Sequence, residues 1–428
     1  MRSRPPATRK TVPPAGGRAK RPASATRRNV AKPAHQSPQV PRIALLIETS
    51  NAYARGLLAG IEDYIRSHGP WNVYLAEHGR GDRPPAWMLD WSGDGIIARI
   101  ENKRTADALS RMRVPIVDVS AARLMPQVPT VTTDNAAIAR MALQHFIERG
   151  FERFAFCGDA RFAWSVSRGE HFARLVGDSG YACQEYVPTG RAADGYGETE
   201  MIARWLRRLP QPVAVFACYD YRGQQVLDAC RRAGLLVPEQ VAVLGVDNDE
   251  LLCQLSPPPL SSIILNSQRG GWEAAEILGR MMRGEKVPPV APHFVLPLGV
   301  ATRQSTDSLA VDDPQLARAL RYIRDHANEG ISVGDVLRHC PMARRNFETR
   351  MKATIGRTPR EEITRVQIHR VKELLAGSSL SLSEISHRTG FKHVEYLTVV
   401  FKRETGMTPS AYRYEQQPGL RGRMPGPR

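Results

Sequence analysis

Two stretches near the end of the chain, residues 331–363 and 380–412, repeat one another. Ile331-Ser332-Val333-Gly334-Asp335 matches Leu380-Ser381-Leu382-Ser383-Glu384 at an offset of 49. Ile355-Gly356-Arg357-Thr358-Pro359 matches Thr405-Gly406-Met407-Thr408-Pro409 at an offset of 50. Each copy opens on Ser-x-x-acid, the capping box that satisfies free N–H groups at a helix start. Each then carries an apolar pair one helical turn apart, Phe347 and Met351 in the first, Leu397 and Phe401 in the second. Between the copies, Ile363, Val366, Val371, Leu374 and Leu375 form the stripe of a connecting helix, and Gly377 is placed to stop it. The repeat predicts two similar all-helical units joined by one long helix.

Charge follows the same partition. Residues 311–428 hold 21 Lys/Arg against 13 Asp/Glu, and residues 42–310 hold 29 against 30. Residues 1–41 hold ten basic residues, eight prolines and no acid. This tail buries too little apolar surface to offset chain entropy, so it is expected to be disordered. Either a non-specific nucleic-acid arm or a solubilising extension suits it. Residues 416–428 are expected to form a second disordered tail. No apolar run approaches the ~18 residues that cross a bilayer, and no secretory signal is expected. The six cysteines are scattered without a CxxC pair, which fits a reducing, cytoplasmic setting and excludes a zinc ribbon. The histidines show no paired metal spacing, so neither metal nor cofactor is expected.

From Arg42 the chain alternates short apolar runs with amphipathic stretches. The runs are Ile43–Ile47, Val73–Ala76, Gly95–Ala98, Ile116–Val119, Phe154–Cys157, Val213–Cys218 and Val241–Val246. Apolar strands separated by helices indicate βαβ units and a parallel sheet covered on both faces. The region is long enough for two lobes with a cleft between them. In such sheets ligands bind beyond the strand ends. The residues there include Tyr53 and Arg55 after the first strand and, in a loop after Phe154–Cys157, Trp164 and Arg168. Asp220 and Arg222 follow Val213–Cys218, and Asp247, Asn248 and Asp249 follow Val241–Val246. Carboxylates and guanidiniums bond pairs of hydroxyls, and an aromatic ring packs on a sugar's C–H face, so the set suits a polyol.

Residues 42–302 resemble the effector domain of LacI/GalR-type repressors, itself similar to periplasmic sugar-binding proteins. The resemblance rests on Thr133-Asp134-Asn135, on His145-Phe146-Ile147-Glu148-Arg149-Gly150-Phe151, and on Leu244-Gly245-Val246-Asp247-Asn248. It implies two α/β lobes joined by crossover strands and closing on a small effector, with ligand contacts at Arg168, Asp220 and Asp247. The repressors carry their DNA-binding unit at the N-terminus, where this chain has only the basic tail.

The C-terminal repeat, residues 315–415, resembles the AraC/XylS-type DNA-binding domain with two helix-turn-helix units. The second copy carries it most closely, in Ser383-Glu384-Ile385, Thr389-Gly390-Phe391, Phe401-Lys402-Arg403-Glu404-Thr405-Gly406 and Thr408-Pro409-Ser410-Ala411-Tyr412-Arg413. In the first copy Pro341 stands where a turn glycine is usual, and Ala343 where a capping Ser is common. Proline cannot take a positive φ, so that turn must use another geometry. The recognition helices are predicted at about Arg344–Thr354 and Val394–Thr405. The outward candidates are Arg344, Arg345, Glu348 and Thr349 in the first, and Lys392, His393, Glu395 and Thr398 in the second. Val399 stands at a position that often holds a polar base contact. Arg350, Lys352, Lys402 and Arg403 are candidates for phosphate contacts.

A two-lobed sensor (42–302), a linker (303–314) and this DNA reader resemble, in combination, sugar-responsive transcription activators of the AraC class that take D-xylose as effector. The resemblance implies a non-enzymatic, homodimeric regulator of sugar catabolism whose partners are double-stranded promoter DNA, a monosaccharide and RNA polymerase, with no membrane. Sensing of another sugar, a sugar-modifying enzyme fused to a DNA reader, and an α/β region that is only a ligand-free dimerisation platform are the alternatives. Two apparent catalytic strings carry nothing. Gly177-Asp178-Ser179-Gly180 ends an amphipathic helix, and Gly93-Asp94-Gly95-Ile96-Ile97-Ala98 leads into a strand instead of following one.

Overall fold

The computed structural model describes residues 40–77, 91–186, 195–289, 292–307 and 313–416, with residues 79, 85, 87, 88 and 311 between them. The predicted disordered tails fall outside the described residues except at their inner edges. The first lobe contains β1 (Arg42–Leu46), α1 (Ala52–His68), β2 (Asn72–Leu75), β3 (Gly95–Ala98), α2 (Lys103–Leu109), β4 (Ile116–Asp118) and β5 (Val131–Thr133). The second contains α3 (Asn135–Ile147), β6 (Phe154–Cys157), α4 (Ala163–Asp178), β7 (Cys183–Glu185), α5 (Gly195–Leu206), β8 (Val213–Ala217), α6 (Asp220–Ala233), β9 (Val241–Val246), α7 (Glu250–Leu255) and β10 (Ser261–Ile264). The chain then returns to the first lobe as α8 (Ser267–Met282) and β11 (His293–Val295), and crosses back as β12 (Gly299–Ala301). The lobes are therefore joined by three crossovers, after β5, β10 and β11.

Strand order is β2-β1-β3-β4 in the first lobe and β12-β10-β9-β8-β6-β7 in the second, with β5 paired to β11. All pairings are parallel except β10 with β12. Side chains alternate faces along a strand. In β1 and just beyond it, Ile43, Leu45 and Ile47 enter the core shared with α1 and α8, while Ala44 and Leu46 enter the core on the α2 side. In the second lobe Phe154, Phe156, Phe216 and Leu244 face α3 and α4, and Val213, Val215, Val241 and Val243 face α5 and α6. Both faces are thus dry, which is why these strands read as unbroken apolar runs. The pairing of α1 with α8 depends on glycine. A Cβ on Gly60 would lie 1.8 Å from the Gln268 carbonyl oxygen, and one on Gly271 would lie 1.9 Å from that of Leu57.

The C-terminal part is all helix: α9 (Pro314–His326), α10 (Val333–His339), α11 (Arg344–Ile355), α12 (Pro359–Gly377), α13 (Leu382–Arg388), α14 (Val394–Thr405) and α15 (Pro409–Gln416). Both expected capping boxes form, Ser332 with Asp335 and Ser381 with Glu384, and a third, Thr358 with Glu361, starts α12. Phe347, Met351, Ile363 and Val366 belong to one core, and Val371, Leu375, Leu397 and Phe401 to the other, so α12 serves both units. The two helix turns differ as the sequence requires. Gly390 takes φ +73 after α13, whereas Cys340 closes α10 at φ −120, ψ 85, and Pro341 follows.

Two expectations change. Residues 303–307, expected as linker, are built into the second lobe. A 3-10 turn at Gln304–Thr306 buries Ser305 and Thr306, and Ser305 Oγ donates to the Val243 carbonyl at 2.6 Å. Trp164 and Arg168, expected in a loop, stand on the first turns of α4.

Candidate functional site

The strand ends of the two lobes meet in a cleft lined by Tyr53, Arg99, Ser120, Trp164, Arg168 and Asp247, among others. Asn51 caps α1 by accepting the Ala54 N–H at 2.9 Å, which fixes the turn that delivers Tyr53. Arg99, one residue past β3, bonds Glu48 and Glu101, the latter at 2.9 Å, and its guanidinium lies 5.2 Å from the Tyr53 ring centre. Burial alone would lower the Arg99 guanidinium, but Glu101 and Glu48 hold it above its ordinary value. Burial also pushes the Tyr53 hydroxyl up to about 12, so it stays a neutral donor.

From the other lobe, Trp164 donates its indole N–H to Glu101 at 3.2 Å. Arg168 lies 5.3 Å from the Trp164 ring centre and donates to Asn135 Oδ1 at 3.2 Å and to the Cys218 carbonyl. Burial lowers the Arg168 guanidinium from its ordinary value, and the neighbouring Asp247 opposes that shift.

Asp247 sits at φ +108 and Asn248 at φ +51, a strained backbone for residues with a Cβ. Asp220 holds that turn. It accepts Ser262 Oγ at 2.5 Å and the Asp249 N–H at 2.7 Å. Burial, then the neighbouring Asp247, raises the Asp220 carboxyl well above its ordinary value. Arg303 donates to Asn248 Oδ1 at 2.8 Å. Arg55 reaches across the cleft mouth to Asp249 at 3.7 Å.

The inner pocket is nearly filled by its own ionic groups. Its remaining cavity is about 20 Å³, room for one water-sized group. Anything larger than a water therefore enters only as these side chains or the lobes move apart. Outside it lies a chamber of about 470 Å³ lined by Asn51, Arg55, Tyr219, Asp220, Asp247 and Asp249, so Asp247 borders both spaces. Tyr53, Trp164, Arg168 and Asp247 thus come together in the inner pocket, and Arg55 and Asp220 border the outer one. Arg222 borders neither. Its buried guanidinium pairs with Glu198 at 2.7 Å and Asp159 at 3.3 Å. Sequence reasoning missed Arg99, Glu101 and Asn135. Arg99 and Glu101 follow a recognised strand, so the strand-end rule extended to β3 would have found them.

In the C-terminal part, α11 and α14 stand where the recognition helices were expected. Their N-caps, Ala343 and His393, make no side-chain cap bond, unlike the first helix of each pair. Arg344, Arg345 and Thr349 are exposed, as are Lys392, His393, Glu395, Lys402 and Arg403, while Glu348 and Thr398 are half-buried. Arg344 pairs with Glu348 at 2.9 Å, and Arg403 with Glu404 at 2.7 Å. Thr398 spends its hydroxyl on the Val394 carbonyl at 2.9 Å. Arg350, a phosphate candidate, is instead bonded to Asp313 at the start of α9.

Two ionic contacts tie this domain to the sensor. Arg324 on α9 donates to the Val237 carbonyl at 2.8 Å and bonds the fully buried Glu239. Arg365 on α12 bonds Asp307. Asp307 directly follows Thr306, whose hydroxyl lies 2.8 Å from His145 Nε2 and whose carbonyl accepts Arg149 Nε at 2.8 Å. His145 lies on the last turn of α3 and Arg149 just past its end, and Asn135, at the other end of α3, holds Arg168 in the cleft. Among the described residues no cluster of three or more His, Cys, Asp or Glu is arranged to hold a metal, and no helix is long and apolar enough to cross a membrane.

Family models match in the same order along the chain: an XylR N-terminal domain over residues 42–136, a periplasmic binding protein-like domain over 143–306, and a helix-turn-helix domain over 337–415. The xylose operon regulatory protein of Escherichia coli K12 is 33% identical over 381 residues, spanning 87% of this chain and 96% of its own length. The chain belongs to the xylose operon regulatory protein family. The family member from Haemophilus influenzae is likewise 33% identical, covering 87% of this chain and 98% of that protein. A solved structure of the xylose-binding transcription activator XylR superposes with a TM-score of 0.76 at 32% identity, over 88% of this chain and 98% of the other. The regulator CelR in complex with cellobiose, at 24% identity and a TM-score of 0.52 over 62% of this chain and 84% of its own, shares the fold of the two lobes. As a xylose operon regulator, the protein is a DNA-binding transcription regulator with a sugar-binding domain, not an enzyme.

Proposed function

We propose that the effector is D-xylose and that it binds at Asp247, between the inner pocket and the outer chamber. The carboxylate would accept two neighbouring hydroxyls, Arg99 and Arg168 would donate to others, and the Trp164 ring would cover a C–H face. The observation that carries this is the strained Asp247 turn, held by Asp220 and aimed at two buried arginines from opposite sides of the cleft. Such strain persists where the surroundings over-determine it, and it clusters at ligand clamps.

Sugar binding favours one closure of the lobes. The reading has closure pass along α3 to Thr306 and Asp307, and across Arg324 and Glu239, so that it sets the placement of the DNA reader. The protein acts in the cytoplasm as a homodimer and an activator that engages RNA polymerase. Each subunit places α11 and α14 in successive major grooves about 10 bp apart.

Thermal unfolding of the full-length protein against a panel of pentoses and hexoses tests the effector. A ligand of the native state raises stability by ~2.7 kcal/mol at a hundredfold excess over its dissociation constant. A shift with D-xylose and an unchanged sugar after incubation is the expected result. A shift with a different sugar alone would replace the effector, and turnover of the sugar would point to an enzyme.

A further inference from the structure

We propose that the two recognition helices read DNA by different chemistry: α11 reads hydrogen-bonding base edges and selects G·C pairs, whereas α14 reads thymine methyl groups. The proposal rests on the DNA-reading role above and names the kind of sequence that role selects.

The offset of 50 that aligns the apolar pairs also aligns Arg345 with Glu395, Asn346 with Tyr396, and Thr349 with Val399. All six are exposed, so these three positions form the outward face of both helices. On α11 the face is polar throughout. An arginine there can bond guanine O6 and N7 together, the commonest base-specific contact. On α14 the same face presents Tyr396, 50% exposed, and Val399, 65% exposed, three residues apart and therefore neighbours on the helix surface. Tyr396 is steadied by the Phe391 ring at 6.0 Å. The Thr398 hydroxyl is turned back onto Val394 at 2.9 Å, so beside Val399 the hydroxyl left at this face is the phenol at the tip of Tyr396. Lys402 and Arg403, one turn on, supply the cationic flank that meets phosphates. An apolar patch inside a cationic frame, at positions its sister helix gives to hydrogen bonding, matches the one apolar group the major groove offers, the thymine C5-methyl. Glu395 remains an acceptor, suited to cytosine N4 beside the thymines. A half-site should then have a G·C-read segment and a thymine-read segment about 10 bp apart.

The test uses full-length protein with D-xylose to select duplexes from a random pool, followed by affinity measurements on the selected duplex. Each dT is replaced in turn by deoxyuridine, which removes only the methyl group. Loss of one buried methyl corresponds to about fourfold in affinity. The expected result is a penalty of that size at one or two adjacent positions of one segment. Val399→Ala, a change at an exposed helix position, should reduce it, and Arg345→Ala should relax the other segment instead. Deoxyuridine without effect at every position, or an equal penalty in wild type and Val399→Ala, would overturn the proposal. A pool that yields no preferred duplex would overturn the DNA-reading role itself, and this division of labour with it.

Discussion

Glu101 accepts the indole N–H of Trp164 at 3.2 Å, and this hydrogen bond joins the two lobes across the cleft. The same carboxylate holds Arg99 at 2.9 Å, so one group serves both the clasp and the pocket. Trp164→Phe keeps a ring for the sugar and loses only the clasp. One hydrogen bond is worth about 0.5–1.5 kcal/mol, so D-xylose affinity should stay within about tenfold of wild type. Trp164→Ala should lose binding. Calorimetric titration of the two variants makes the comparison, and equal affinities would remove the ring from the site.

Asp247 and Asp220 should separate in their behaviour. Asp247→Ala is expected to keep basal DNA affinity but lose the sugar-induced thermal shift. Asp220→Ala strands the Ser262 hydroxyl and the Asp249 N–H, each a buried loss of about 1–3 kcal/mol, and should lower the melting temperature as well. Asp220→Asn should be milder, because its side-chain oxygen can still accept the Asp249 N–H. A normal sugar response in Asp247→Ala would refute the assigned site.

The buried pair of Arg324 and Glu239 should couple sugar to DNA. Arg324→Met leaves Glu239 buried without its cation, a loss of roughly 3–5 kcal/mol. Arg324→Met combined with Glu239→Leu restores an apolar contact and should recover most of that stability. It should still bind D-xylose normally while the sugar's effect on DNA affinity falls. Sugar and DNA titrations on the double variant decide this, and intact coupling would exclude the pair from the route.

Asp118 gives a pH dependence of defined sign. Burial raises its carboxyl to about 7. Ser120 Oγ lies 3.1 Å from Asp118 Oδ2, and the Ile100 and Ser120 N–H groups donate to Oδ1 at 3.2 and 2.8 Å; these bonds offset part of the burial but do not cancel it. The native state therefore keeps a proton that the unfolded chain releases above about pH 4. This group's contribution to stability is full below that pH and is lost as pH rises to about 7. Asp118→Asn should flatten that part of the stability profile. Denaturant unfolding at pH 5 and pH 7 measures the difference, and identical slopes for variant and wild type would contradict it.

Much of this arrangement was legible from residue order. The seven predicted strands lie within one residue of β1, β2, β3, β4, β6, β8 and β9; all but the exposed edge strand β2 are mostly buried, and strands buried on both faces leave unbroken apolar runs. The elements that join the lobes were not legible. Both β11 and β12 have only three residues, β10 begins with two serines, and α8 carries the glycines its contact with α1 demands, which blur a helical pattern. Tyr53, Trp164, Arg168 and Asp247 were found because each follows a recognised strand. Arg222 also follows one, yet its partner Glu198 comes from α5, whose position no local pattern gives. The duplicated helix pairs were the most legible part, since capping boxes and i, i+4 apolar pairs are local. The fate of Thr398 depended on a single χ1 choice.

The most direct measurement is the dissociation constant for a selected operator duplex with and without saturating D-xylose, read by fluorescence anisotropy on full-length protein. Linked sites typically change one another's affinity by about 5- to 150-fold. Binding of DNA should tighten within that range, and D-xylose should bind correspondingly tighter in the presence of the duplex. Identical DNA affinity with and without D-xylose would contradict the account.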